Sequence, residues 1–319
     1  MKVYEVAEQE LPVNPYISRV EAYLVENAQH RLEQLNPIDR AVIAAGFYDV
    51  EQRYGPDSDT PLKYHDQHHS WEAFEDYCTL AEVFELDEEE FVNGAIAIAW
   101  HDWEQLKGSG DNERESALKV QQVMDSAGYS INRQRQVANY VHATEVEFDE
   151  SGRMTQKYLK AYGPDKALLA VTMADTYGIT IHGTETMARS AYKLACEVGK
   201  VTLRAFVHDP SELLDKLAYQ LNYVGTRLDL LEESVRYHMP EDDADRVLGE
   251  LKQRFGTPSS RAIRAAKSVH ELISAQPREA ANAISQWAAS APDEKTFLAG
   301  IARRVTGLAM SRESAQSDK

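Results

Sequence analysis

The chain has 319 residues, 34 Lys+Arg against 52 Asp+Glu and a formal net charge of -18, with 43% hydrophobic and 27% charged residues, a balance that excludes a disordered chain. A chain of this size buries roughly three-quarters of its unfolded surface, and its longest apolar runs, Gly94–Trp100 and Ala167–Ala174, fall far short of the ~20 residues of a membrane span. The start, MKVYEVAEQELPV, lacks the basic and apolar regions of a signal peptide, and two cysteines, Cys78 and Cys196, make neither a disulfide framework nor a thiolate zinc site, so the expectation is a soluble, cytoplasmic protein without a membrane partner.

Helical signals dominate the chain. In YHDQHHS, Asp66 is an N-cap candidate that places His65 just before a helix and His69 in its first turn. Asp87 and Glu90 form a capping box ahead of FVNGAIAIAWHDW. A further helix starts near Asp111 and stops at Gly128, a C′ glycine. Others are expected over 132–145, from Pro164 to Gly178, over 184–207 and over 210–237, with loops at 54–60, 108–110, 148–152 and 239–243. Met239-Pro240-Glu241 is the best boundary, which divides the chain into a main unit, 1–238, and a helical C-terminal extension, 239–319. The expected fold class is all-α.

Charge is unevenly spread. Residues 251–319 carry a net +5, leaving -23 on residues 1–250. So acidic a body opposes nucleic acid, whose binding rests on phosphate neutralisation, but accepts a small anionic substrate where a metal supplies positive charge. The oligomeric state stays open.

Polar residues on apolar faces carry the chemistry, because an unpaired buried carboxylate is costly. Leu168, Val171, Thr172 and Asp175 fall on one helical stripe; so do Ala95, Ile98, Ala99 and Asp102, with His101 beside them. Glu113, Ala117, Val120 and Met124 line up in the same way. Three inward acids with histidines nearby point to a shared cation, and mixed His/Asp ligands suit Mn, Fe, Co, Ni, Zn or Mg.

The order His69, His101-Asp102, Asp175, spaced by about thirty and then about seventy residues, resembles the H…HD…D pattern of the HD superfamily of metal-dependent phosphohydrolases. YHDQHH is similar to the YHNxxH of cyclic-nucleotide phosphodiesterases, with Asp66 in place of Asn. AIAWHDWEQLKGSGDNERESA resembles the WFHDAVY…DNEERSA segment of a bacterial group described as predicted HD phosphohydrolases, and VTMADTYGI occupies the place of that group's Asp-containing helix.

This resemblance spans about residues 20–200. It implies an HD-type helical bundle with His69, His101, Asp102 and Asp175 as metal ligands and His65 as the acid that protonates the leaving oxygen. It also implies a catalytic or water-positioning role for Glu113. Lys63, Lys107 and Arg114, near these elements in sequence, are candidate phosphate contacts. The implied activity is hydrolysis of a phosphate ester, a nucleotide or another small phosphorylated metabolite, by metal-bound hydroxide. The alternatives are a catalytically silent HD-fold module for ligand sensing or assembly and, lowest, a di-iron oxygenase, for which only His142 lies in the required interval. His208-Asp209 reads as part of a helix cap, Trp71, Trp100 and Trp103 as packing, and Glu145, Glu147, Asp149 and Glu150 as a solvated acidic loop.

Overall fold

The computed structural model describes residues 14–27, 31, 33–148, 154–181, 190, 193–194, 196–197, 231–254, 278, 282 and 286. Within these the protein is all-α. In chain order the helices are α1 (Pro15–Asn27), α2 (Pro37–Tyr54), α3 (Gln67–Val83), α4 (Glu88–Trp100), α5 (Asp111–Ser126), α6 (Ile131–His142) and α7 (Lys166–Ile181). Residues 231–238 and 241–254 are also helical. The one sheet among the described residues is a pair of two-residue strands, β1 (Glu147–Phe148) and β2 (Met154–Thr155), between α6 and α7. No helix among them is long and apolar enough to cross a membrane.

The helix starts follow local chemistry. Asp66 caps α3 by accepting from the backbone N–H of His68 and His69, and Asp87 and Glu90 cap α4 reciprocally. Such caps are worth about 1 kcal/mol each. Gly128, at φ 83°, closes the α5 end, because a left-handed residue there costs glycine little. By contrast, α7 does not end at Gly178 but runs to Ile181. At its start Asp165 Oδ1 accepts from the N–H of Ala167 and Leu168. The break after Met239 is shorter than expected, since the helix resumes at residue 241. The expected 184–207 helix and most of 210–237 lie outside the described residues, as does His208-Asp209.

Helix α4 is the centre of the bundle. Every residue from Phe91 to Trp100 is buried, as expected of a helix apolar on all sides, and it packs on α2, α3, α6 and α7. Two glycines permit this closeness. A Cβ on Gly46 of α2 would lie 2.4 Å from the Ala99 carbonyl oxygen, and one on Gly94 would lie 2.2 Å from the Tyr77 hydroxyl. The chain therefore leaves α4 at His101 and Asp102 while still inside the core. Ala244, Val247 and Leu251 of the 241–254 helix belong to that same core, and Arg246 donates to the Val83 carbonyl at the end of α3.

Candidate metal centre

Three elements meet at one point. Helix α3 contributes His69 from its first turn, the end of α4 contributes His101 and Asp102, and α7 contributes Asp175. His69 Nε2 lies 3.4 Å from Asp102 Oδ2 and 3.4 Å from Asp175 Oδ1; His101 Nε2 lies 3.2 Å and 3.4 Å from the same two oxygens. One ligand atom each of His69, His101 and Asp175 falls within 4.8 Å of the other two, and Asp102 joins them through both histidines.

These contacts are not hydrogen bonds. His69 Nε2, His101 Nε2 and Asp102 Oδ2 are all buried without a hydrogen-bond partner. His101 Nδ1 donates to the Ile98 carbonyl at 2.7 Å, which turns the Nε2 lone pair of the neutral ring toward the two carboxylates. Lone pairs facing one another in the core are repulsive unless a positive charge stands between them. Among the described residues no Lys or Arg forms an ion pair with Asp102 or Asp175. A cation bonded at about 2.0–2.2 Å sets neighbouring donors roughly 3.0–3.5 Å apart, and the four histidine–aspartate distances, 3.2–3.4 Å, fall in that range. Two imidazoles and two carboxylates also make a suitable donor set for a first-row divalent metal.

With no cation, protons take that place. Burial opposes charge on His101, yet Asp102 and Asp175 hold its pKa well above the ordinary histidine value. Burial likewise works against ionised Asp102 and Asp175, but His101 foremost keeps both below the usual carboxylate range.

His65 stands beside the cluster, its ring centroid 5.8 Å from that of His69. Its Nδ1 is hydrogen-bonded to Glu197 Oε1, and Glu197 Oε2 accepts the backbone N–H groups of Lys63, Tyr64 and His65 at 3.1, 2.8 and 3.1 Å. Burial lowers the pKa of His65, but Asp102 and Glu197 outweigh it and bring it to about 9. Tyr64 packs on the His69 ring at 4.4 Å.

Glu113 is not in the cluster itself. Its carboxylate accepts the Gly110 N–H at 2.6 Å and so caps α5, while Ala117, Val120 and Met124 of the same stripe are buried. Burial first, then Asp102 and Asp175, raise its pKa. Lys107 pairs with Glu115 at 3.3 Å and Arg114 with Asp111 at 2.6 Å, both on the exposed side. Lys63 is exposed and meets the site through its backbone. His142 packs against the Tyr158 ring rather than joining the cluster.

Of the acidic loop, Glu145 is buried rather than solvated, because Gly110 leaves it room: a Cβ there would lie 3.1 Å from Glu145 Oε1. Trp71 and Trp100 pack in the core, and Trp103 lies against it under the Arg53 guanidinium, 4.1 Å from the ring centre.

Two polar partners escape a reading of the sequence. Glu197 is distant in the chain from His65 and has no motif around it. Gln105, whose amide donates to Asp102 Oδ1 at 2.7 Å, stands at i+3 from Asp102, and that short spacing is the signal available for it. Comparison with protein-family models, curated proteins and solved structures finds no match for this chain.

Proposed function

We propose that this chain is a divalent-metal-dependent hydrolase of phosphate esters of the HD type, acting on a nucleotide or another small phosphorylated metabolite. The observation that carries this reading is the convergence of His69, His101, Asp102 and Asp175 with three of their facing atoms buried and unpartnered. A divalent cation held by these four would supply charge to polarise phosphoryl oxygens and to acidify a water.

The chain's own residues provide the rest. Asp102 and Asp175 carry two negative charges that fix a cation, and His69 and His101 complete its donors without adding charge. His65, its Nδ1 held by Glu197, keeps Nε2 as the proton donor to a leaving oxygen. A bound cation would offset the pull of Asp102 and Asp175 on that proton, while the hydrogen bond to Glu197 would still favour the protonated ring. Glu197 also tethers the 63–65 backbone, and this limits motion of the ring.

The test is turnover of a panel of phosphorylated metabolites by protein loaded in turn with Mn, Fe, Co, Ni, Zn and Mg. Metal-dependent phosphate release supports the reading. Tight metal binding with no release from any ester would favour a sensing or assembly module instead.

A further inference from the structure

Asp102 meets the cluster with only one of its two carboxylate oxygens. Oδ2 faces His101 and His69 at 3.2 and 3.4 Å and has no hydrogen-bond partner, whereas Oδ1 accepts from Gln105 Nε2 at 2.7 Å. The terminal torsion of an aspartate is soft, so whatever holds Oδ1 sets the plane of the whole carboxylate. An ionised carboxylate only accepts, and the amide must therefore present its NH2 to it. Asn112 Nδ2 donates to Gln105 Oε1 at 3.4 Å and fixes the same orientation from the other end.

The loop around Gln105 is itself anchored. Its backbone N–H donates to the Tyr54 hydroxyl at 2.9 Å and to Glu104 Oε1 at 3.1 Å. Asn112 Oδ1 accepts the N–H groups of Lys107 and Gly108, each at 2.9 Å.

We infer that Gln105 is a positioning residue for the metal centre: its neutral amide turns Asp102 so that Oδ2 addresses the cation, while leaving the full negative charge of the carboxylate available to it. Lysine or arginine at 105 would hold the same oxygen but compete with the cation by neutralising that charge. The inference rests on the metal-binding reading above and goes beyond it to a residue that touches no reacting atom.

Cobalt(II) is the probe, since its visible absorption reports ligand arrangement. Gln105→Met keeps the side-chain length and removes the donor; it should bind cobalt 10–100-fold more weakly than the parent, the usual scale for a lost outer partner. At saturating cobalt its bands should be displaced, and its melting temperature in chelator should stay near the parent's. Gln105→Leu, which is neutral and likewise cannot donate, should show the same loss and serves if the Met variant fails to fold. Parent-like affinity and spectrum in these variants would overturn the inference while leaving the metal centre intact. Weaker binding with an unchanged spectrum and an equal loss of metal-free stability would overturn it in favour of a purely structural role. A parent that takes up no cobalt would overturn the metal reading and this inference together.

Discussion

His65 and Glu197 lie 132 positions apart in the chain, yet Nδ1 of the one donates to Oε1 of the other beside the His/Asp cluster. The second oxygen of Glu197 gathers three consecutive backbone N–H groups, so the carboxylate fixes both the ring and the strand of chain that carries it. A histidine held in this way is oriented by Glu197, and Asp102 and Glu197 raise its pKa against burial.

His65→Ala is therefore expected to leave metal content unchanged while lowering turnover roughly 10²–10⁴-fold, the scale of a general acid. The loss should shrink for nitrophenyl esters, whose leaving group departs without a proton, relative to alkyl phosphates. Glu197→Gln should produce a smaller loss with the same dependence on leaving group. Steady-state rates on the two ester types check this; equal losses on both would count against the acid role.

Asp102→Ala should abolish binding of the cation. It should also lower metal-free stability, because it removes the carboxylate that compensates a protonated His101 and leaves that ring without its partner in the core. The parent at a hundredfold excess over Kd should gain about 2.7 kcal/mol from the metal, and the variant should gain nothing. Melting curves with metal and with chelator measure both quantities.

In chelator, stability should depend on pH in a set direction. His101 is held well above the ordinary histidine value against burial by Asp102 and Asp175, and His65 is held, again against burial, at about 9. Groups raised in this way stabilise fully below their unfolded pKa of about 6.5 and lose that contribution as pH rises through the folded value. Asp102 and Asp175, both depressed chiefly by His101 despite burial, contribute above about pH 4 and lose it as pH falls. The metal-free melting temperature should thus decline from about pH 6.5 to about pH 9. A saturating divalent cation replaces the protons between the ligands and should flatten most of that decline. A flat metal-free profile over the same window would contradict the account.

How legible all this is from sequence depends on the range of the interaction that decides each feature. The starts of α3 and α4 are local matters: Asp66 and the Asp87/Glu90 pair cap the helices they precede, and that chemistry is written within four residues. The turn of the apolar stripe likewise carries Asp175 and Asp102 inward, which is how three helices bring His69, His101 and Asp175 together. What periodicity misses is set by contacts across the fold. Glu145 looks solvated in an acidic run, but the space left by Gly110 buries it. Glu197 meets His65 through hydrogen bonds that span more than 130 positions of the chain. Gly178 reads as a stop, yet α7 passes through it to Ile181, and a glycine inside a helix costs only about 1 kcal/mol.

The 241–254 helix supplies a prediction about the C-terminal part. Val247 and Leu251 lie in the same core as α3 and α4, and so a chain ending at residue 237 should expose that face and be less stable than one ending at residue 254. Leu251→Ala should cost roughly 2–5 kcal/mol, read from urea unfolding. A chain ending at 237 that melts like the full protein would show that this helix is dispensable.

The most direct measurement is the metal content of the protein as purified, with the same measurement on His69→Ala, His101→Ala and Asp175→Ala. The account predicts close to one equivalent of a divalent first-row metal or magnesium per chain in the parent, recoverable by titration after chelation, and a large loss in each variant. A parent that neither carries nor takes up a divalent cation, or variants that keep it undiminished, would contradict the claim that these buried, unpartnered donors form a metal centre.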